Sequence, residues 1–124
     1  MSDPRSAAPS SGSGVLRSEL HGMVCVLRPT ASLQAATVQD IADAAEGQIG
    51  NRCLVVVDLT SVNLIDGGGL EWLLDLDDTL AHRGGCLRLA AAGDLCRDML
   101  RITGVGERLA TFDSLSDALA DLAS

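Results

Sequence analysis

The hydrophobic positions of this chain fall into short runs separated by turn-forming residues, and the runs alternate in kind. VLRSEL (15–20) and GMVCVLRP (22–29) are short and rich in β-formers, and His21-Gly22 between them predicts a hairpin. In ASLQAATVQDIADAAEGQI, Leu33, Ala36, Ile41, Ala44, Ala45 and Ile49 recur near helical spacing, which predicts a helix over 34–48 closed by Gly50-Asn51. CLVVVDL (53–59) is continuously apolar, the pattern of a strand covered on both faces. GGGLEWLLDLDDTLAHRGG predicts a helix over 68–82, capped by Asp66 or Gly67 and stopped by Gly84-Gly85. CLRLAAA (86–92) reads as a second covered strand, after which Asp94 caps a helix running to Ile102 or Thr103 and ended by Gly104. ERLATF (107–112) predicts a last short strand, and in SLSDALADL the spacing of Ser114 and Asp117 is that of a capping box with Asp in place of Glu.

Strands that alternate with helices, two of them hydrophobic throughout, predict an α/β fold: a partly parallel sheet with helices packed against it. No internal repeat is visible. Residues 1–14 are mostly Ser, Gly, Ala and Pro, with little to bury, and read as a disordered leader. The remainder, 15–124, is the size of one domain.

Composition narrows the chemistry. Seventeen acidic residues face nine basic ones, all Arg, for a formal charge of −8. Without Lys there is no Schiff-base residue, no phosphate-loop Lys and no Lys to sense a phosphoaspartate. The acidic balance argues against nucleic acid and against an anionic membrane surface, both of which need basic footprints. Cys25, Cys53, Cys86 and Cys96 form no CxxC pair and have no His at ligand spacing; structural thiols are expected, and no metal or cofactor. There is no secretory h-region and no run long enough to span a bilayer, so a cytoplasmic location without membrane insertion is expected. No catalytic constellation appears: His21 and His82 are isolated, with no Cys or Ser at nucleophile spacing.

The information is concentrated in LVVVDLTSVNLIDGGGLEWLL (54–74). An apolar run ending in Asp58 and followed by Ile65-Asp66-Gly67 looks locally like a phosphoacceptor receiver. A receiver, however, needs an acidic pair at its first strand to hold Mg²⁺ and a Lys, and neither is present. Three glycines before a helix could hold an anion on their N–H groups. But GGG is not GxGxxG, and Asp58, Asp66 and Glu71 would oppose an anion, so relief of a tight turn is the favoured reading.

The third reading is a family resemblance. VVVDLTSVNLIDGGGL resembles the strand–loop–helix signature of the STAS domains of bacterial anti-sigma factor antagonists, in which DL[ST]-x-V-x-x-[IVM]-D leads to S-S/T-G-L. HRGGCLRLAAA and RITGVGERLATFDSLSDALADL resemble the continuation of that family in the same order and spacing, so the likeness covers about 15–122. It implies an α/β fold with a four- to five-stranded mixed sheet and helices packed against it. It also implies a non-enzymatic interaction module in transcription signalling, whose partner is an anti-sigma factor of serine-kinase type.

The resemblance places a phosphorylated Ser or Thr two residues after the signature Asp, where this chain has Gly68 beside Gly67. The family's other acidic landmark, the Asp of a G-E-L-D segment, corresponds to Gln34 in Ala31-Ser32-Leu33-Gln34. No phosphorylation is expected at the family site, and the nearest hydroxyls are Thr60 and Ser61. The expected partner-binding residues are Gln34, Thr37, Asp66, Gly67, Gly68, Gly69, Leu70 and Trp72. In that set Asp66 holds the turn, the glycines admit a close backbone and Leu70 anchors the helix. An alternative follows from D-x-G-G-L, which resembles STAS subunits of phospholipid-transporting ABC systems and implies a transporter ATPase as partner.

With only Trp72 and Phe112 as aromatics, Trp72 stands out. Leu70, Leu73, Leu74, Leu80 and Ala81 make the expected core face of its helix, and Trp72 and Leu76 a neighbouring stripe. Beside Glu71, Asp75 and Asp78, Trp72 suits either a contact hot spot or packing against an adjacent helix, with packing slightly favoured. Arg97, Arg101 and Arg108 are expected on a solvated face.

Overall fold

A computed structural model describes residues 14–123 of the chain. The leader reading for 1–14 therefore lies almost wholly outside the described residues. The elements in order are β1 (Leu16–His21), β2 (Val24–Pro29), α1 (Val38–Ile49), β3 (Leu54–Asp58), α2 (Gly67–His82), β4 (Cys86–Ala90), α3 (Asp94–Thr103), α4 (Val105–Arg108), β5 (Thr111–Phe112) and α5 (Leu115–Ala123). The five strands form one sheet in the order β1-β2-β3-β4-β5, with β1 antiparallel to β2 and every other pair parallel. A mixed sheet covered by helices is the expected α/β class.

Strand alternation divides the core in two. Cys25, Leu27, Val55, Val57, Leu87 and Leu89 point to one face, where Ile41, Ala45 and Ile49 of α1 and Leu70, Leu73 and Leu80 of α2 complete the main core. Val24, Val26, Val56 and Ala90 point to the other, where Ala118 of α5 lies buried and Leu115, Leu119 and Leu122 pack around it. β3 and β4 are apolar apart from Asp58 and Arg88, because helices cover both of their faces.

The local differences from the sequence reading have physical causes. The hairpin turns at Gly22-Met23, one residue later than expected, because His21 still pairs with Val24. Helix α1 starts at Val38 rather than near 34, because residues 34–37 form a turn. There the Thr37 hydroxyl donates to the Ser32 carbonyl at 2.5 Å, and the Thr37 amide donates to Gln34 O at 2.9 Å. Ala36 is thus exposed instead of lying on the helix's apolar face. Ala81 is also exposed, since the buried stripe of α2 ends at Leu80. Gly93 occupies the cap position of α3, with Asp94 as its first helical residue. The segment read as a strand over 107–112 is strand only at its end: Glu107 and Arg108 close a short helix, and Leu109 and Ala110 link it to the sheet. After Gly104, left-handed at φ 81°, Val105 and Leu109 bury one turn apart as α4, and only Thr111 and Phe112 extend into the sheet. The alternation in ERLATF imitated a strand, whereas the four-residue spacing of Val105 and Leu109 was the signal that decided the structure. At α5 the Asp117 amide donates to Ser114 Oγ at 3.1 Å, the half of the capping box that this sequence can make.

The four cysteines are free thiols. Burial pushes the Cys25 and Cys96 thiols up, away from the reactive thiolate. Among the described residues there is no group of His, Cys, Asp or Glu that could hold a metal, and no helix long and apolar enough to cross a membrane.

Candidate functional site

The C-terminal ends of the parallel strands gather the site. From β3 the chain crosses 59–66 with Leu59, Val62 and Ile65 buried at every third position, which pins the loop to the core. Beside it runs the segment after β2: Leu33 and Ile65 form a parallel bridge, the Leu33 amide donating to Leu64 O and the Asp66 amide to Leu33 O. Two segments far apart in sequence are thereby laced together at the start of α2.

Asp66 closes the junction. Its Oδ1 accepts from the Gly68 and Gly69 amides at 2.9 and 3.1 Å, capping α2 as expected, while its Oδ2 accepts from the Ala35 amide at 3.0 Å. The Ala35 amide first, then those of Gly69 and Gly68, hold this carboxyl below its ordinary range, so it is charged at neutral pH. The turn that carries Ala35 is itself tied by the Thr37 hydroxyl, to which the Gln34 amide donates at 3.2 Å. Gln34, Thr37, Asp66 and the glycines thus come together at the start of α2.

The three glycines are not equivalent. A Cβ on Gly69 would lie 2.2 Å from the Leu33 carbonyl oxygen, so only glycine allows the 31–37 segment to pass over the helix start. A Cβ on Gly68 would come 3.2 Å from Ala35 Cα, a tight fit, whereas one on Gly67 would meet nothing within 4 Å. Gly67 is exposed and forms the open tip. Gly68 and Gly69 already donate to Asp66, which sits where an anion would bind, so the geometry disfavours a phosphate cradle at this turn.

Leu70 is buried and fixes the first turn of α2 to the core. Trp72 is half-buried against the main core and lines a groove between α1 and α2. Asp58, by contrast, is built into the fold. Burial raises its pKa, but the Thr60 hydroxyl and amide and the Arg28 guanidinium, 3.1 Å away, outweigh this and hold it below the ordinary value. Its carboxylate is thus committed to internal bonds, not presented as a phosphoacceptor. Thr60 is exposed but its hydroxyl donates to Asp58 Oδ1 at 2.5 Å, and Ser61 is exposed. Arg97, Arg101 and Arg108 are solvated as expected, Arg101 paired with Asp98 at 3.2 Å.

Sequence reasoning missed Leu33 and Ala35, which supply the bridge and the second donor for Asp66. A lone apolar residue between two polar stretches, Leu33 between Ser32 and Gln34, was the available signal. It also missed the α1 wall of the groove, since the pairing of two helices has no local trace.

A family model described as the STAS domain matches residues 16–118. A putative anti-sigma factor antagonist from Thermotoga maritima superposes with a TM-score of 0.81 at 16% identity, covering 90% of this chain and 97% of that one. An anti-sigma factor antagonist from Mycobacterium paratuberculosis gives 0.80 at 22% identity, covering 88% and 93%. The murine anion transporter Slc26a9 gives 0.72 at 18% identity over 82% of this chain, which spans only 18% of the transporter. At these identities the structural likeness shows the fold alone. No curated protein matches the sequence.

Proposed function

The chain belongs to the STAS domain family, and we propose that within it the protein acts as a non-enzymatic bacterial antagonist of an anti-sigma factor, working in the cytoplasm. The partner is an ATP-binding anti-sigma factor of serine-kinase type. It docks on the tip of α2 and the adjoining turn: Gln34, Thr37, Asp66, Gly67, Gly68, Gly69, Leu70 and Trp72. The observation that carries this reading is the Asp66 clamp. One carboxylate rigidly joins two backbone segments and leaves Gly67 open between them, so a partner meets a preorganised surface with little ordering cost.

Phosphate at this tip would add about 1.5–2 negative charges, and repulsion and desolvation would block docking. Gly68 has no hydroxyl to carry that charge, and a side chain there would begin only 3.2 Å from Ala35 Cα. The protein therefore stays in the binding-competent state, and its activity is set by its amount or by its partner. Affinity purification from the native cytoplasm tests the reading. Recovery of an ATP-binding anti-sigma-type protein supports it, and recovery of none overturns it.

One feature favours a second reading. Asp66-Gly67-Gly68-Gly69-Leu70 satisfies D-x-G-G-L, the pattern that resembles STAS subunits of phospholipid-transporting ABC systems. Capture of a transporter ATPase instead would select it.

A further inference from the structure

Helices α1 and α2 do not close on each other along their whole length. Between them lies a groove of about 310 Å³ with an apolar floor that includes Ala42, Ile49, Trp72 and Leu76. Its walls carry Asp43 and Glu46 from α1 and Asp75 from α2, all exposed. The guanidinium that closes one end, Arg83, donates through Nη1 to the Gly50 and Arg52 carbonyls at 3.0 and 2.8 Å, which turns its charge toward the backbone. On the same two helices Asp40 and Glu71 are also exposed, while Asp78 is paired with Arg108 at 3.9 Å.

An apolar floor with carboxylates on both rims is complementary to one kind of occupant. We propose that the α1–α2 groove receives a cationic amphipathic helix of the partner, its apolar stripe against Trp72 and Leu76 and its Arg or Lys side chains against Asp43, Glu46 and Asp75. Helix α1 has 12 residues, so a helix of about the same length, ~18 Å, would span the groove. The large amphipathic ring of Trp72 supplies contact area that few rotamers must be frozen to use. The carboxylates would steer the approach and set its register. Trp72 lies one turn beyond the α2 tip, so the groove continues the docking surface proposed above, and the proposal rests on that reading.

Trp72 is the only Trp in the chain and reports on the groove directly. The probes are two synthetic helical peptides with one leucine stripe, flanked by arginines in one and by glutamates in the other. The arginine peptide should give a saturable blue shift of Trp72 emission and the glutamate peptide none. The Asp43→Asn/Glu46→Gln/Asp75→Asn variant should weaken binding about tenfold, summing three modest rim contacts. Asp98→Asn/Glu107→Gln/Asp117→Asn, which removes the same charge elsewhere, should bind as the wild type does. Equal weakening in both variants, or emission that does not respond to the arginine peptide, would overturn the proposal. The assay does not involve the Gly67 tip, so its failure leaves the tip reading to be judged by partner capture, and failure at the tip leaves this result standing.

Discussion

The Ala35 amide donates to Asp66 Oδ2 at 3.0 Å across a separation of 31 residues, and through that bond one carboxylate both caps α2 and ties the turn before α1 to it. The proposed docking surface therefore depends on the charge state and length of a single side chain.

Asp66→Ala should lower the melting temperature and broaden amide signals at 34–37 as well as 66–69. Asp66→Asn should keep the helix cap through its remaining oxygen and lose the Ala35 bond, leaving only the 34–37 amides disturbed. A variant whose changes stop at 66–69 would refute the clamp.

The sign of the pH dependence follows from the same bonds. Asp66 lies below its ordinary value of 3.8, and Asp58 is lowered as well. A carboxyl whose folded pKa is depressed contributes stability that is fully present above the unfolded value and lost as pH falls through the folded one. Melting temperature should hold near neutrality and drop below about pH 4. Asp66→Asn should flatten part of that drop, and a wild-type curve that rises on acidification would contradict the assignment.

Gly69→Ala should destabilise by about 1–3 kcal/mol, since its Cβ would press on the Leu33 carbonyl and the backbone must shift. Gly67→Ala meets nothing and should be neutral or stabilise by up to about 1 kcal/mol. Denaturant unfolding ranks the two, and the reverse order would show the segments packed differently.

Incubated with a serine kinase of the proposed partner class and ATP, the wild type should take up no phosphate at position 68. Gly68→Ser restores a hydroxyl, at the cost of pushing Ala35 by a few tenths of an ångström. Mass spectrometry locates any label. Efficient labelling of the wild type at Thr60 or Ser61 would move the switch to the 59–66 loop.

The parts of the fold that local pattern controls were legible in the chain. The runs at 54–58 and 86–90 are apolar apart from Asp58 and Arg88 because both faces are covered, and Asp66 precedes α2 as a capping residue must. What was not legible depends on distant partners. The start of α1 shifted because Thr37 serves the Ser32 carbonyl, and the last strand shrank to Thr111 and Phe112 because Val105 and Leu109 bury together around α4. Of the site, Asp66 and its glycines could be read directly. Their meeting with Ala35, and the groove in which Trp72 sits, arise only when α1 and α2 pack on the same face of the sheet.

The central claim is that the open tip at Gly67 is the docking surface, and capture of the partner by wild type and by Gly67→Glu tests it most directly. The substitution places a negative chain in open space and leaves the Asp66 clamp untouched. The account predicts that wild type recovers an ATP-binding anti-sigma-type protein from the native cytoplasm and that Gly67→Glu, equally folded, loses it. Equal recovery by both proteins would contradict it.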